Sequence, residues 1–310
     1  MADSSDAPRR VYRSIFLDKD WAHQKYFGWS IAEERAGLRL LRKKRWAFAR
    51  SLMLLNKAGE DWLAEAVTRG FGFAPLTDMV IHDFDGVLPE TPVIAGHRFY
   101  RAEQRERLLN IATYVIDLEQ DEEVLWKNLG QKSRNAVRKA EKDGVCFVCR
   151  EDSKAIIDCF HSLYAPVAQQ KKLDIPSHAT LKMMQDGGNL ICVSAQQRGG
   201  QALAVNIMYV SGQCGYFLHG ANHPAITTGV GQFIQWNSIL LLKKLAYGWY
   251  DLGGVQDKVK ADGIHEFKKS LGGVFHTLGD EFRSESLGFG LVRTYLMPVR
   301  EKIRLLGRGA

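Results

Sequence analysis

Tyr250-Asp-Leu-Gly-Gly-Val-Gln-Asp-Lys-Val-Lys-Ala-Asp-Gly-Ile-His-Glu-Phe-Lys-Lys-Ser-Leu-Gly-Gly273 reads as a strand that runs into a glycine turn and then feeds a short basic helix. Tyr250 and Leu252 alternate as strand residues do. Gly253 and Gly254 let the backbone bend or approach a ligand closely. Ile264, Phe267 and Leu271 carry helical spacing, and Lys268 and Lys269 sit on that helix. A strand, a glycine turn and a helix in this order are how an α/β protein builds a binding site at the end of a sheet.

A second stretch lies upstream: Leu125-Trp-Lys-Asn-Leu-Gly-Gln-Lys-Ser-Arg-Asn-Ala-Val-Arg-Lys-Ala-Glu-Lys-Asp-Gly-Val145. Asp121, Glu122 and Glu123 put acids in the first turn of a helix, where the dipole favours them. Gly130 breaks the element, and a second helix starts near Ser133. Arg134, Arg138 and Lys142 are four apart and share one face, while Ala136, Val137 and Ala140 form a small apolar one. Asp143-Gly144 stops this helix, and Val145 to Cys149 reads as a strand.

Taken together, the two stretches resemble the Fem family of aminoacyl-tRNA-dependent transferases. That pattern has a Trp, then Lys-x-Arg-Asn-x-x-Arg-Lys-Ala and a Gly-Val at the helix end. Later come Tyr-Asp-Leu-Gly-Gly and Gly-Ile-x-x-Phe-Lys-x-x-x-Gly-Gly. Gly199-Gly-Gln-Ala-Leu-Ala-Val-Asn206, Gly215-Tyr-Phe-Leu-His-Gly-Ala-Asn222 and Gly229-Val-Gly-Gln-Phe-Ile-Gln-Trp236 also look like the family. The resemblance spans Leu118 to Gly273. It implies an α/β fold of two GNAT-like (acyl-CoA N-acyltransferase-type) units with mixed sheets. The units are expected at 1–144 and 145–273, with 274–310 returning to pack on the first. No internal sequence repeat marks the duplication.

The resemblance implies transfer of an amino acid from charged tRNA to an amine, with aminoacyl-tRNA as co-substrate and neither cofactor nor metal. Such an ester is already activated, so the protein must supply positioning and charge stabilisation rather than a nucleophile. Lys268 is the expected cation at the reaction centre. Phe267 shapes the pocket for the terminal adenosine or belongs to the core. Asp251 orients the acceptor or holds its loop. Lys269, Tyr216, His219 and Asn222 are expected at the substrate. Arg134, Arg138, Lys139 and Lys142 are expected on the tRNA backbone, where contacts position without reading bases. Arg42-Lys-Lys-Arg45 is a weaker basic cluster. Gln169-Gln-Lys-Lys-Leu-Asp174 stands where some family members have an Arg-rich acceptor loop, so a cell-wall precursor and a small peptide both remain as acceptor. Two other readings stay open: an acyl-CoA-dependent transferase and a non-catalytic tRNA-binding protein. For the first, Gly229-Val-Gly231 resembles a pyrophosphate loop, but Ile226 stands where Gln or Arg is usual.

Composition fits an anionic partner: the 310 residues carry a net charge of +7, with a pI of about 9.1. DNA is not expected as that partner. The five cysteines read as buried thiols of a reducing compartment, although Cys146 and Cys149 have C-x-x-C spacing. A polar, acidic start and the lack of an 18-residue apolar run suggest a cytoplasmic protein. The basic amphipathic stretch from Phe289 to Leu306 either packs on the core or touches a membrane surface.

Overall fold

The computed structural model describes residues 11–18, 21, 29–45, 48–72, 76–149, 154–171, 175–223, 229–255 and 263–285. Most of the expected small-domain start at Asp18 to Ser30 lies outside them. So do Ile226, Lys172 to Asp174, and the amphipathic stretch from Phe289 to Leu306. The chain forms two compact units.

The first unit takes the chain from Lys19 to Ile111 and again from Leu278. Its strands are β1 (Ser30–Arg35), β2 (Leu38–Arg45), β3 (Phe48–Leu55), β4 (Leu76–Asp83), β5 (Val93–Ile94), β6 (His97–Arg101) and, from the far end of the chain, β14 (Asp280–Ser284). They form one sheet in the order β1-β2-β3-β4-β14-β6-β5. Helix α1 (Leu63–Phe71) joins β3 to β4. Leu40, Met53, Met79, Ile81 and Phe282 pack against its Ala66 and Val67, while Leu41, Leu52, Leu54 and Val80 bury the other face. Leu52, Met53, Leu54 and Leu55 of β3 and Met79, Val80 and Ile81 of β4 are therefore unbroken apolar runs, as strands covered on both faces require. The basic residues Arg42, Lys43, Lys44 and Arg45 lie at the end of β2 that adjoins β3, where Arg45 pairs with Phe48.

The second unit takes residues 11–18 and Ala112–Thr277. Its strands are β7 (Ala112–Asp117), β8 (Cys146–Cys149), β9 (Leu190–Gln196), β10 (Ala202–Ser211), β11 (Cys214–Asn222), β12 (Trp249–Val255) and β13 (Val274–Thr277). Their order is β13-β7-β12-β11-β10-β9-β8. The helices are α2 (Glu122–Asn128), α3 (Gln131–Lys142), α4 (Lys154–Lys171), α5 (His178–Asp186), α6 (Val230–Lys244) and α7 (Gly263–Ser270). One sheet face holds the main core, where Tyr114, Ile116, Tyr250 and Leu252 meet Val137 of α3 and Phe233, Ile234 and Trp236 of α6. Burying each of these large side chains contributes about 2 kcal/mol. Helix α4 packs over β9, β10 and β11.

This division moves the expected boundary. The strand β7 and helices α2 and α3, which fall within 1–144, belong to the second unit, because β7 pairs with β12 and β13 and sends Tyr114 and Ile116 into that core. The expected returning segment also divides: β13 completes the second sheet, and only β14 joins the first, between β4 and β6. The cysteine expectation holds for Cys192 and Cys214, which are buried. It fails for Cys146 and Cys149, which are exposed because β8 is an edge strand.

Candidate functional site

The site is built where β11 and β12 part. These parallel strands pair only at Cys214↔Trp249, Gly215↔Tyr250 and Tyr216↔Asp251, although β11 runs on to Asn222 and β12 to Val255. Beyond Asp251 the carbonyls of β12 find other donors. Lys268 of α7, a buried residue, donates from Nζ to Gly253 O at 2.6 Å and to Gly254 O at 2.9 Å. A buried ammonium is costly unless it is hydrogen-bonded, and these carbonyls supply part of that.

Asp251 lies beneath this arrangement, 4 % exposed. Its Oδ2 accepts from Tyr12 Oη at 2.6 Å, and its Oδ1 accepts from Thr113 Oγ1 and from Gly253 N, the latter at 2.8 Å. Burial pushes the Asp251 carboxyl up, against the pull of these three donors and of the Lys268 charge. The bond to Gly253 N is the i to i+2 bond by which an aspartate fixes a turn, and Gly253 has a φ of 85°. Asp251 thus holds its loop; of its two expected roles, orienting the acceptor gives way, because both oxygens are engaged inside the fold.

The expected polar row of β11 is split by a bulge. Phe217 pairs with Met208 and His219 with Ile207, leaving Leu218 as the extra residue. The bulge reverses the alternation, so Tyr216 and His219 share one face although they are three apart. Tyr216 is buried and donates to Arg13 O at 2.8 Å, a fold contact rather than a substrate contact. His219 packs against the rings of Phe160 and Tyr164, and burial lowers its pKa to about 4. It is a neutral imidazole at pH 7. Asn222 falls on the other face. A Cβ at Gly231 would lie 3.5 Å from Asn222 Nδ2 and 4.0 Å from the Phe267 ring, so these three converge at the start of α6. Phe267 is half-buried and packs on the main core while reaching this point. Lys269 is exposed.

The glycines opening α6 have unlike roles. Gly229 has a φ of 72°, and a Cβ there would stand 2.6 Å from Ala136 O of α3. It is needed for helix packing. Gly231, two residues on, faces Asn222 and Phe267 with ordinary clearance. Helix α3 is in turn joined to α7. Gly130 N donates to Ser270 O at 2.8 Å, and the buried Ser133 donates from Oγ to Ser270 Oγ at 2.9 Å.

The basic face of α3 is divided in its duties. Arg134 donates to Lys127 O at 3.0 Å, to Leu129 O, and to Gln131 Oε1 at 2.7 Å, satisfying carbonyls at the end of α2. Its expected place on a tRNA backbone yields to that capping role. Arg138 stacks over Trp126 at 5.3 Å while remaining exposed. Lys139 is exposed and bonds Asp143 at 2.6 Å, and Lys142 is exposed. Among the described residues no three His, Cys, Asp or Glu side chains group as a metal site, and no helix is long and apolar enough to cross a membrane. Tyr12 and Thr113, which complete the bonding of Asp251, are residues that the sequence did not single out.

No protein-family profile matches this chain. No curated protein sequence matches it either. Solved structures do. FemX superposes with a TM-score of 0.67 at 14% identity, over 91% of this chain and 94% of that one. L-PGS from Bacillus licheniformis does so with a TM-score of 0.57 at 13% identity, over 88% and 90%. The C-terminal domain of a putative lysylphosphatidylglycerol synthetase from Agrobacterium fabrum gives 0.56 at 10% identity, over 86% and 87%. At these identities the likeness is one of fold. The chain has a FemX-like α/β fold of two units, each built on a seven-stranded mixed sheet.

Proposed function

We propose that this protein is an acyltransferase that moves an aminoacyl group from charged tRNA to an amine. The observation that carries the reading is the buried Lys268 ammonium held on the Gly253 and Gly254 carbonyls where β11 and β12 part. The acceptor nitrogen adds to the ester carbonyl, forming the C–N bond as the carbonyl electrons move to oxygen. The oxyanion then collapses, the C–O bond to the ribose breaks, and the ribose oxygen takes a proton as the nitrogen sheds one. Lys268 offers positive charge to that oxyanion from a low-dielectric position. Phe267, Asn222 and Gly231 line the approach, and Arg138, Lys139 and Lys142 offer exposed charge to the RNA backbone.

The Fem-like motifs and the FemX-like fold support tRNA as donor. The acceptor is a peptide amine, either a cell-wall precursor or a small peptide. The Agrobacterium fabrum neighbour is named for lysylphosphatidylglycerol, which adds a lipid hydroxyl as a candidate worth assaying. The glycine-opened α6 beside the parted strands keeps acyl-CoA as a second donor reading.

The test is transfer of radiolabel from a mixed pool of charged tRNAs to peptide amines, a pentapeptide precursor and phosphatidylglycerol vesicles, with and without RNase. RNase-sensitive transfer that Lys268→Ala abolishes is the expected result. Acyl-CoA turnover that survives RNase, with no transfer from tRNA, would replace this reading with the second.

A further inference from the structure

Residues 11–18 form a strap on the sheet face opposite the main core of the second unit, since Tyr12 meets Trp249, Asp251 and His276 while Tyr250 and Leu252 point the other way. Four side chains fasten it. Tyr12 Oη donates to Asp251 Oδ2 at 2.6 Å, Tyr216 Oη to Arg13 O at 2.8 Å, Tyr209 Oη to Asp18 Oδ1 at 2.8 Å, and Ser211 Oγ to Asp18 Oδ2. Three of these bonds only hold the strap down. The bond from Tyr12 also leads to the site.

From Asp251 the path is short and continuous. Its Oδ1 accepts from Gly253 N and from Thr113 Oγ1, and Thr113 Oγ1 also lies 2.8 Å from Gly253 O. That Gly253 carbonyl, with the Gly254 carbonyl, receives Lys268 Nζ. Gly253 sits at a φ of 85°, where a glycine peptide is easily turned and its orientation depends on its bonds. The direction in which Nζ is held is therefore set by a carboxylate whose second oxygen is fixed by the strap.

We infer that Tyr12 is a positioning residue for Lys268, acting through Asp251 and the Gly253-Gly254 backbone. This rests on the proposed role of Lys268 in transfer. The ring of Tyr12 is packed edge-on against His276 at 4.8 Å and Trp249 at 6.1 Å, so Tyr12→Phe removes the hydroxyl and leaves the packing. Buried polar networks lose more than one bond when a member is deleted, because the remaining groups re-aim.

Two measurements on the full chain test it. The first is steady-state transfer by Tyr12→Phe, with Ser211→Ala as the control that loosens the far end of the same strap. The second is the lysine 1H–15N ammonium spectrum, in which the Lys268 signal is assigned by its loss in Lys268→Ala. Tyr12→Phe is expected to lower kcat about tenfold with KM within about twofold, and to shift the Lys268 signal. Ser211→Ala is expected to change neither. Thr113→Ala, which removes the other hydroxyl donor to Asp251, is expected to act as Tyr12→Phe does. A Lys268 signal and a kcat unmoved by Tyr12→Phe in a transfer-competent enzyme would overturn the relay. Equal losses in Tyr12→Phe and Ser211→Ala would reduce Tyr12 to a general strap anchor and overturn it too. A shifted signal in a protein that transfers nothing would keep the relay and reject the transferase reading.

Discussion

The two units contain the same local design with opposite outcomes. In each, a strand leaves an antiparallel partner, crosses through a helix and returns as a parallel neighbour. In the first unit that pair is β3 and β4, zipped along all eight residues from Phe48↔Leu76 to Leu55↔Asp83. In the second it is β11 and β12, paired at three positions and then parted. The closed pair is apolar on both faces, through Leu52, Leu54 and Val80 on one and Met53, Leu55, Met79 and Ile81 on the other. The open pair has Gly220, Asn222, Gly253 and Gly254 where such residues would sit, a bulge in β11, and a lysine on the carbonyls that a partner strand would use. Apolar burial offsets the entropy lost in zipping the closed pair, and opening persists only where other donors satisfy the backbone.

The buried acids differ in the same sense. Asp78 of β4 accepts from two guanidiniums, Arg283 and, at 2.7 Å, Arg50. Asp251 of β12 accepts from two hydroxyls and a backbone N–H. The first is locked by charge, and the second is held by neutral donors on segments far apart in sequence. The first therefore serves stability, and the second serves the aim of a neighbouring cation.

The sharpest way to break the comparison is Lys268→Ala. Transfer should fall about 10²–10³-fold or more, the usual cost of removing one group that stabilises an oxyanion. Radiolabel transfer in single-turnover conditions checks it. A comparable loss from Arg50→Ala in a folded first unit would mean that the closed pair is also catalytic.

Next in size is Asp78→Ala. It leaves the Arg283 guanidinium, 7% exposed at its side chain, without its charged partner. Breaking a buried pair costs about 3–5 kcal/mol, although the bond from Arg283 Nη1 to Glu106 O survives. Denaturant unfolding should show this loss, with transfer by the folded fraction unchanged. Asp251→Asn should reverse the balance, with a smaller stability loss and a larger loss of rate.

The imidazole on β11 gives a pH test. The His219 pKa is lowered from 6.5 to about 4 by burial, so the folded state binds its proton less readily than the unfolded one. Its contribution to stability is complete above about pH 6.5 and is lost as pH falls toward 4. The full loss is on the order of 3 kcal/mol. Unfolding curves between pH 7 and 4 should lose that dependence in His219→Phe. An unchanged pH dependence would place the titrating group elsewhere.

Much of this was legible in the sequence, and the limits are physical. Strand, turn and helix from Tyr250 to Gly273 follow from local pattern, because alternation, glycine and helical spacing all act within a few residues. Lys268 is singled out only through the family resemblance, because local pattern alone does not separate a helix lysine that is buried from one that is solvated. The boundary at 144 was not legible, because a strand's sheet is decided by its partners, and β7 pairs with strands more than a hundred residues onward. The bulge at Leu218 was invisible, so Tyr216, His219 and Asn222 read as one row when they lie on two faces. Tyr12 carries no local signal at all, since its partner Asp251 is 239 residues away. Arg134 looked like a phosphate ligand because its capping of α2 depends on a chain break that sequence shows only as Gly130.

A smaller effect comes from Gly253→Ala. The residue has a φ of 85°, and its Cβ would stand 3.0 Å from Phe217 O at the point where the strands part. Strain of roughly 1–2 kcal/mol is expected from the left-handed backbone alone. Gly86→Ala in the first unit, at a φ of 69° with open space around it, should show only that backbone strain. The difference between the two variants measures how tightly the vertex is built.

The smallest effect concerns which surface meets RNA. Each lysine that neutralises a phosphate adds about 0.7–0.9 to the slope of log K against log salt. Lys142, exposed at the end of α3, should lower that slope by about this amount when changed to Ala, with little change in stability. Lys139→Ala should lower it less, because Lys139 already bonds Asp143. Lys43→Ala, on β2 of the first unit, should leave the slope unchanged. A drop at Lys43 equal to that at Lys142 would mean that RNA binding is shared by both units. The contrast between them would then hold for the chemistry alone, since the parted strands and Lys268 would remain peculiar to the second.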